Sequence, residues 1–377
     1  MENRKNSLIM DARTDAAKAV AGRLGRAGLL CITAVPTLAV VFIIFFITKE
    51  ALPFFDNLAH LKEFFTDTDW SPSKEANPHF GALSIFYGTL MVTAGSCADA
   101  VPLGILTAVC LNEIVGGKTA QIFKPVVELL AAIPSVAYGF FAIVVFAPIL
   151  QTRGGALLSA AILLAGVPLA LIFGLAFGAG ISGRLFKKAG ARAAFDAAFT
   201  AAGLALVCAA AYRVSFVEIS SGTNALNASV ILAVMALPTI VSISQDALAS
   251  VGRDMREGSL ALGATRFETI FKVLLPCAKS GIAVAVILGL MRVVGETMVV
   301  WMASGNSLKI PEPFYNFLEP VRTLTATIAG EMGEADQSTG SDRYHVLFAV
   351  SLCLLLGGLL LNAAGQWVGS GFKSKRK

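Results

Sequence analysis

Charge is scarce in this chain. Asp, Glu, Lys and Arg make up 15% of its 377 residues against 56% hydrophobic, and the mean hydropathy is +0.73. An ordinary soluble domain carries about 25% charged residues, so the composition excludes one and points to a bilayer. Histidine is scarcer still: His60, His79 and His345 stand too far apart in sequence for a metal motif. The six cysteines, Cys31, Cys97, Cys110, Cys208, Cys277 and Cys353, lie in or beside apolar runs without CxxC spacing, which suggests neither a disulfide frame nor a metal site and leaves packing as their simplest role. A nucleotide site is lacking too. Gly116-Gly117-Lys118-Thr119 ends like a Walker A loop, but GxxxxGK[ST] needs glycine at 112, where this chain has Asn112, and the stretch follows an apolar run rather than a strand. The stretch therefore offers no nucleotide site, and no cofactor or metal is expected on this chain. GxSxG, HExxH and an intramembrane HxxxH are missing as well, so nothing local argues for an enzyme.

What is present is apolar length. A spanning helix needs about 20 mostly apolar residues, and candidates fall near 28–47, 84–111, 126–150, 155–180, 196–213, 226–248, 281–304 and 346–368. The expected fold is an all-α, polytopic membrane bundle of about eight transmembrane helices. The first run enters Thr48-Lys49-Glu50 with no AxA-like cleavage site and reads as a retained anchor. The net charge of +5 does not imply nucleic acid, because the basic residues gather in alternate loops. Arg4, Lys5, Arg13, Lys18, Arg23 and Arg26 lead the chain and Lys373, Lys375, Arg376 and Lys377 end it, so both termini read as cytoplasmic and the number of spans as even. Arg184, Lys187, Lys188 and Arg192 mark one inner loop; Arg253, Arg256, Arg266, Lys272 and Lys279 mark another. The acidic stretches Thr48 to Phe80 and Gly305 to Arg343, the latter with Glu331, Glu334, Asp336 and Asp342, read as outer, solvated connections able to meet an extracytoplasmic partner.

Charges inside apolar runs are costly, about 2.5–3.5 kcal/mol each even on insertion scales. Arg292 and Glu296 stand four apart in the seventh run, which predicts one helical face turned to protein or water. They are a self-neutralising structural pair or a pathway site. In the second reading Arg292 offers planar donors to an oxyanion and Glu296 holds that arginine when no anion is bound. Asp99 fits packing or pathway equally; Glu128 and Asp246 read as charges near helix ends. Pro134 and Pro238 predict kinks or breaks. Gly174 and Gly178 form a GxxxG pair, a weak signal for close helix approach.

One polar, basic-edged stretch stands apart from its surroundings: Glu257 to Pro276, EGSLALGATRFETIFKVLLP. Glu257 to Leu262 suits a short helix, Gly263 permits a break, and Thr265 with Glu268 forms a capping box that starts a second helix. Glu257, Gly263, Val273, Leu275 and Pro276 resemble the EAA loop, by which permeases of ABC importers grip their ATPases, although Gly258, Ser259 and Val273 depart from its usual residues. Four further blocks, HFGALSIFYGTL (79–90), VPLGILTAVCLNE (101–113), ELLAAIPSVAYGFF (128–141) and GLMRVVGETMVV (289–300), resemble the phosphate-specific ABC importer permeases. Asp69-Trp70-Ser71-Pro72 is similar to their C type rather than their A type. The likeness covers roughly 70–150 and 230–305; between them this chain inserts an extra helix pair, about 155–213.

The resemblance implies a type I ABC importer permease fold, with a cytoplasmic segment 1–27, a transmembrane domain 28–368 holding a coupling loop at about 250–278, and a basic tail 369–377. It implies half of a phosphate pathway in a bacterial inner membrane, with Arg292 and Glu296 on the pathway. The implied partners are a second, A-type permease, a cytoplasmic ATPase dimer that uses the ATP, and an extracytoplasmic phosphate-binding protein. Sulfate, molybdate and tungstate permeases share the loop, and a proton-coupled secondary transporter using Arg292 and Glu296 is the rival from another class. No internal repeat of the kind such transporters carry is visible.

Overall fold

The computed structural model describes residues 12–74, 77–115, 117–185, 189–334 and 341–373. The topology charges Arg4, Lys5, Lys187, Lys188, Asp336, Lys375, Arg376 and Lys377, and Gly116, lie outside these. The helices are α1 (Ala12–Phe55), α2 (Leu58–Thr66), α3 (Leu83–Val109), α4 (Gly117–Ala132), α5 (Ser135–Phe141), α6 (Ala147–Leu185), α7 (Ala189–Ser215), α8 (Ala225–Ala249), α9 (Arg253–Ala261), α10 (Arg266–Glu268), α11 (Leu275–Val294), α12 (Met298–Ala303), α13 (Leu324–Glu331) and α14 (Asp342–Lys373). Three π-helical turns, Cys110–Ile114, Ala142–Phe146 and Thr269–Leu274, continue α3, α5 and α10. Among the described residues the only sheet is a two-residue antiparallel pairing of β1 (Trp70–Ser71) with β2 (His79–Phe80). The all-helical expectation holds.

Among the described residues seven helical stretches are long and apolar enough to cross a membrane, against the eight expected. The difference lies in the third and fourth. The chain breaks at Pro134, between α4 and α5, and α6 is two helices meeting at a kink at Arg153, whose φ of −131° and ψ of 17° leave the helical region, so the boundary expected between 150 and 155 is a kink rather than a loop. Gly154 and Gly155 follow the bend, and a Cβ on Gly155 would lie 2.5 Å from the Ser215 carbonyl, so the end of α7 occupies the space a loop would need. From there α6 and α7 run as an antiparallel hairpin, with Gly166 against Val207 and Gly174 against Thr200. Gly178, the other half of the GxxxG pair, lies outside the described side chains. The hairpin starts and ends at one end of the bundle, with Gly155 against Ser215 and Gly222 against Ala147. α1 and α14 are antiparallel, Glu50 beside His345, so the start of one and the end of the other lie together.

Enclosure is greatest around α8. Its Ile240 lies 2.7 Å from where a Cβ on Gly104 of α3 would stand and 2.5 Å from one on Gly289 of α11. Glycine lets both helices close on it; a methyl at either site would overpack the seam, at a cost of about 1–3 kcal/mol. Pro238 sits inside α8 without breaking it, whereas Pro134 does end a helix. The loops 48–80 and 305–343 gather at one end. There Phe54, Phe64, Trp70 and Phe80 pack with Val346 and Leu347 of α14. Glu331, expected in a solvated loop, is instead largely buried beneath them. It pairs with Arg322 at 3.0 Å and accepts a hydrogen bond from Trp70 Nε1 at 2.9 Å.

Candidate functional site: a junction of broken helices and a docking loop

Two helix breaks meet inside the bundle. One is Ile133-Pro134, between α4 and α5; the other is Gly295 to Thr297, between α11 and α12. Because α11 ends at Val294, Glu296 stands beyond the helix that carries Arg292, and the expected shared face is corrected. Glu296 sits against Ser135 at the start of α5 and lies near enough to Arg292 to feel its charge. The two are not bonded, and Arg292 makes no ion pair among the described residues. Its buried Nε has no hydrogen-bond partner there either. The expectation that Glu296 holds the arginine directly is therefore not met in this conformation.

Threonines surround the carboxylate side of the junction. Thr325 Oγ1 donates to the Glu296 carbonyl at 2.8 Å, the Leu324 amide donates to Thr89 Oγ1 at 2.9 Å, and the Thr323 and Thr325 hydroxyls lie 3.2 Å apart. With Thr93 and Glu296 they line a void of about 10 Å³, room for about one water and too small for an oxyanion. Sequence reading did not find this cluster. Thr323, Thr325 and Thr327 are visible in an alternating run, but threonine is ordinary in loops, and only the fold brings Thr89 and Thr93 to it. The other intramembrane candidates fall apart from the junction: Asp99 is exposed midway along α3, Glu128 is exposed late in α4 rather than at a helix start, and Asp246 is exposed near the end of α8.

The loop from Glu257 to Pro276 lies at the opposite end of the bundle from the acidic loops. α9 is followed by Gly263 with φ of +85°, a left-handed conformation that disfavours any side chain. The capping box forms as its residues predict: the Glu268 amide donates to Thr265 Oγ1 at 3.2 Å and the Thr265 amide to Glu268 Oε2 at 3.1 Å. Of the residues singled out from sequence, Glu257, Gly263 and Pro276 are exposed, while Val273 and Leu275 are half-buried, Leu275 packing against the apolar cluster that holds Leu248 and Ala278. The apolar groups turned to solvent are others: Leu262, 91% exposed, and the paired rings of Phe267 and Phe271. An apolar tip on a short helix, turn and helix is a surface shaped for a partner.

Residues 100–374 match the family described as binding-protein-dependent transport system inner membrane component. A probable ABC transporter permease protein, YqgH, of Bacillus subtilis is 32% identical over 323 residues, which cover 85% of this chain and 82% of that protein. The phosphate transport system permease protein PstC of Mesorhizobium japonicum is 31% identical over 81% of this chain and 77% of its own length. PstC of Haemophilus influenzae is 28% identical over 81% and 82%.

Proposed function

From the premise that this chain belongs to the family of binding-protein-dependent transport system inner membrane components, and is thus an ABC transporter permease of a bacterial inner membrane, we propose that it forms half of an ATP-driven import pathway for inorganic phosphate. The observation that carries the reading is Arg292, a guanidinium set beside two helix breaks with no ion pair among the described residues. An unpaired cation in apolar surroundings is expensive, and an incoming oxyanion is the group that would satisfy it. Glu296, close but not bonded, keeps the site near neutral and would repel the anion enough to let it leave. Phosphate as cargo is supported by the relatives named as phosphate transport permeases.

The partners in this reading are an A-type permease, an ATPase dimer on Glu257 to Pro276, and an extracytoplasmic phosphate-binding protein at the end that carries the 48–80 and 305–343 loops, with both termini on the ATPase side. ATPase closure displaces the docking loop, and the bundle converts that displacement into alternating exposure of the junction. Directionality requires that the anion bind the two states with different affinity. In proteoliposomes holding all four components, uptake of phosphate should require ATP and stop with vanadate. Uptake that survives vanadate or omission of the ATPase would reject the reading in favour of a proton-coupled carrier. Equal uptake of sulfate or molybdate would reject the cargo alone.

The turn at Gly263 offers a narrower test. Alanine there must hold a left-handed backbone, at a cost of about 1–2 kcal/mol, so Gly263→Ala should weaken retention of the ATPase by roughly 5–30-fold. Titrating the purified ATPase onto the variant measures this, and unchanged affinity would remove Gly263 from the docking surface.

A further inference from the structure

At its docking end α3 widens into the π-helical turn Cys110–Ile114, and this turn lies against α9. Glu113 Oε1 accepts a hydrogen bond from Arg256 Nη2 at 2.5 Å and another from Asn112 Nδ2 at 2.7 Å. The Glu113 side chain is only 6% exposed. α9 itself has no buried residue. Among the described residues, side-chain hydrogen bonds tie it to its surroundings at two points: Arg256 to Glu113, and Ser259 to Thr269 at 3.0 Å. The second half of the docking loop is held differently, with Ile270 and Leu274 sunk among Ala108, Val109 and Leu248.

We propose that the Glu113–Arg256 pair is a coupling strut, the link through which movement of α9 is passed to α3. An apolar contact would hold these two surfaces at least as tightly as a shielded ion pair does. What the ion pair adds is direction, since a planar guanidinium engages a carboxylate in one geometry and resists sliding as well as separation. α3 runs on without a break to Thr93 and Thr89, which line the void beside Glu296. From Glu113 to Thr93 is 20 residues, about 30 Å of helix at about 1.5 Å per residue. The strut and α3 together thus form one rod from the ATPase-facing loop to the junction. Both residues are positioning residues; neither touches the anion.

The inference rests on the docking reading of Glu257 to Pro276, and its test is made on the complete transporter in proteoliposomes, with phosphate taken up and ATP hydrolysed read together. Glu113→Gln should lower phosphate moved per ATP by about tenfold, the scale on which residues along a connecting element alter coupling, while the ATPase stays bound and active. The exchange Glu113→Arg with Arg256→Glu should bring the ratio back above that of either single variant. An unchanged ratio in Glu113→Gln, an exchange that recovers nothing, or loss of the ATPase from the Glu113→Gln complex would each overturn the strut. Should the wild-type chain itself fail to bind or couple an ATPase, the docking reading fails, and the strut with it.

Discussion

Arg292→Gln is expected to abolish phosphate uptake while leaving the chain inserted and assembled with its ATPase. Glutamine keeps a polar end and the first carbons of the stem but is about two bonds shorter; what the variant removes is the charge and the guanidinium fork. Each charge-assisted hydrogen bond contributes about 1.5–3 kcal/mol, and a bidentate pair on an oxyanion therefore about 3–6 kcal/mol. At about 1.4 kcal/mol per decade, that is roughly two to four decades of affinity for the anion in the pathway. Labelled phosphate uptake in cells relying on this transporter measures the loss, and co-purification of the ATPase shows that assembly survives. Wild-type uptake in the variant would return Arg292 to a structural role. Arg292→Lys is expected to fall between, because an ammonium keeps the charge without the fork.

The second large effect is on stability. Glu331→Gln should destabilise the end of the bundle that carries the 48–80 and 305–343 loops. Arg322 and Glu331 have side chains only 15% and 12% exposed, so solvent screens their attraction little. Removing one partner of such a pair strands the other, at a cost of about 3–5 kcal/mol. Glutamine retains an oxygen for Trp70 Nε1, so the variant isolates the charge from the Trp70 hydrogen bond. Thermal unfolding of the detergent-purified chain should shift downward by roughly 5–10 °C. An apolar double variant, Arg322→Met with Glu331→Leu, should regain most of that loss, because neither charge is then left without its partner. No shift in Glu331→Gln would mean that water reaches the pair.

Much of this architecture is legible along the chain because it is local. Apolar runs of about 20 residues can do little but form helices that satisfy their own backbone. The left-handed turn at Gly263 and the capping box of Thr265 with Glu268 follow from residues three to six apart, and both form as their chemistry dictates. Pro134 marked one helix break correctly. Pro238 did not mark another, since a proline in α8 is tolerated where neighbouring helices enclose it. The kink at Arg153 falls where one apolar run was expected to end and the next to begin; that it is a kink rather than a loop depended on the end of α7, about 60 residues further on, coming to rest against Gly155.

Composition, periodicity and capping act over a few residues, and from them follow the membrane bundle, the approximate place of its helices, and the helix, turn and helix between Glu257 and Pro276. Tertiary packing alone puts Glu296 past the end of the helix bearing Arg292, brings Thr89 to the Leu324 amide, and lets Arg256 reach Glu113 across 143 residues of chain. Those arrangements are set by which helices pack together, and packing is a property of whole faces that no short window of residues contains.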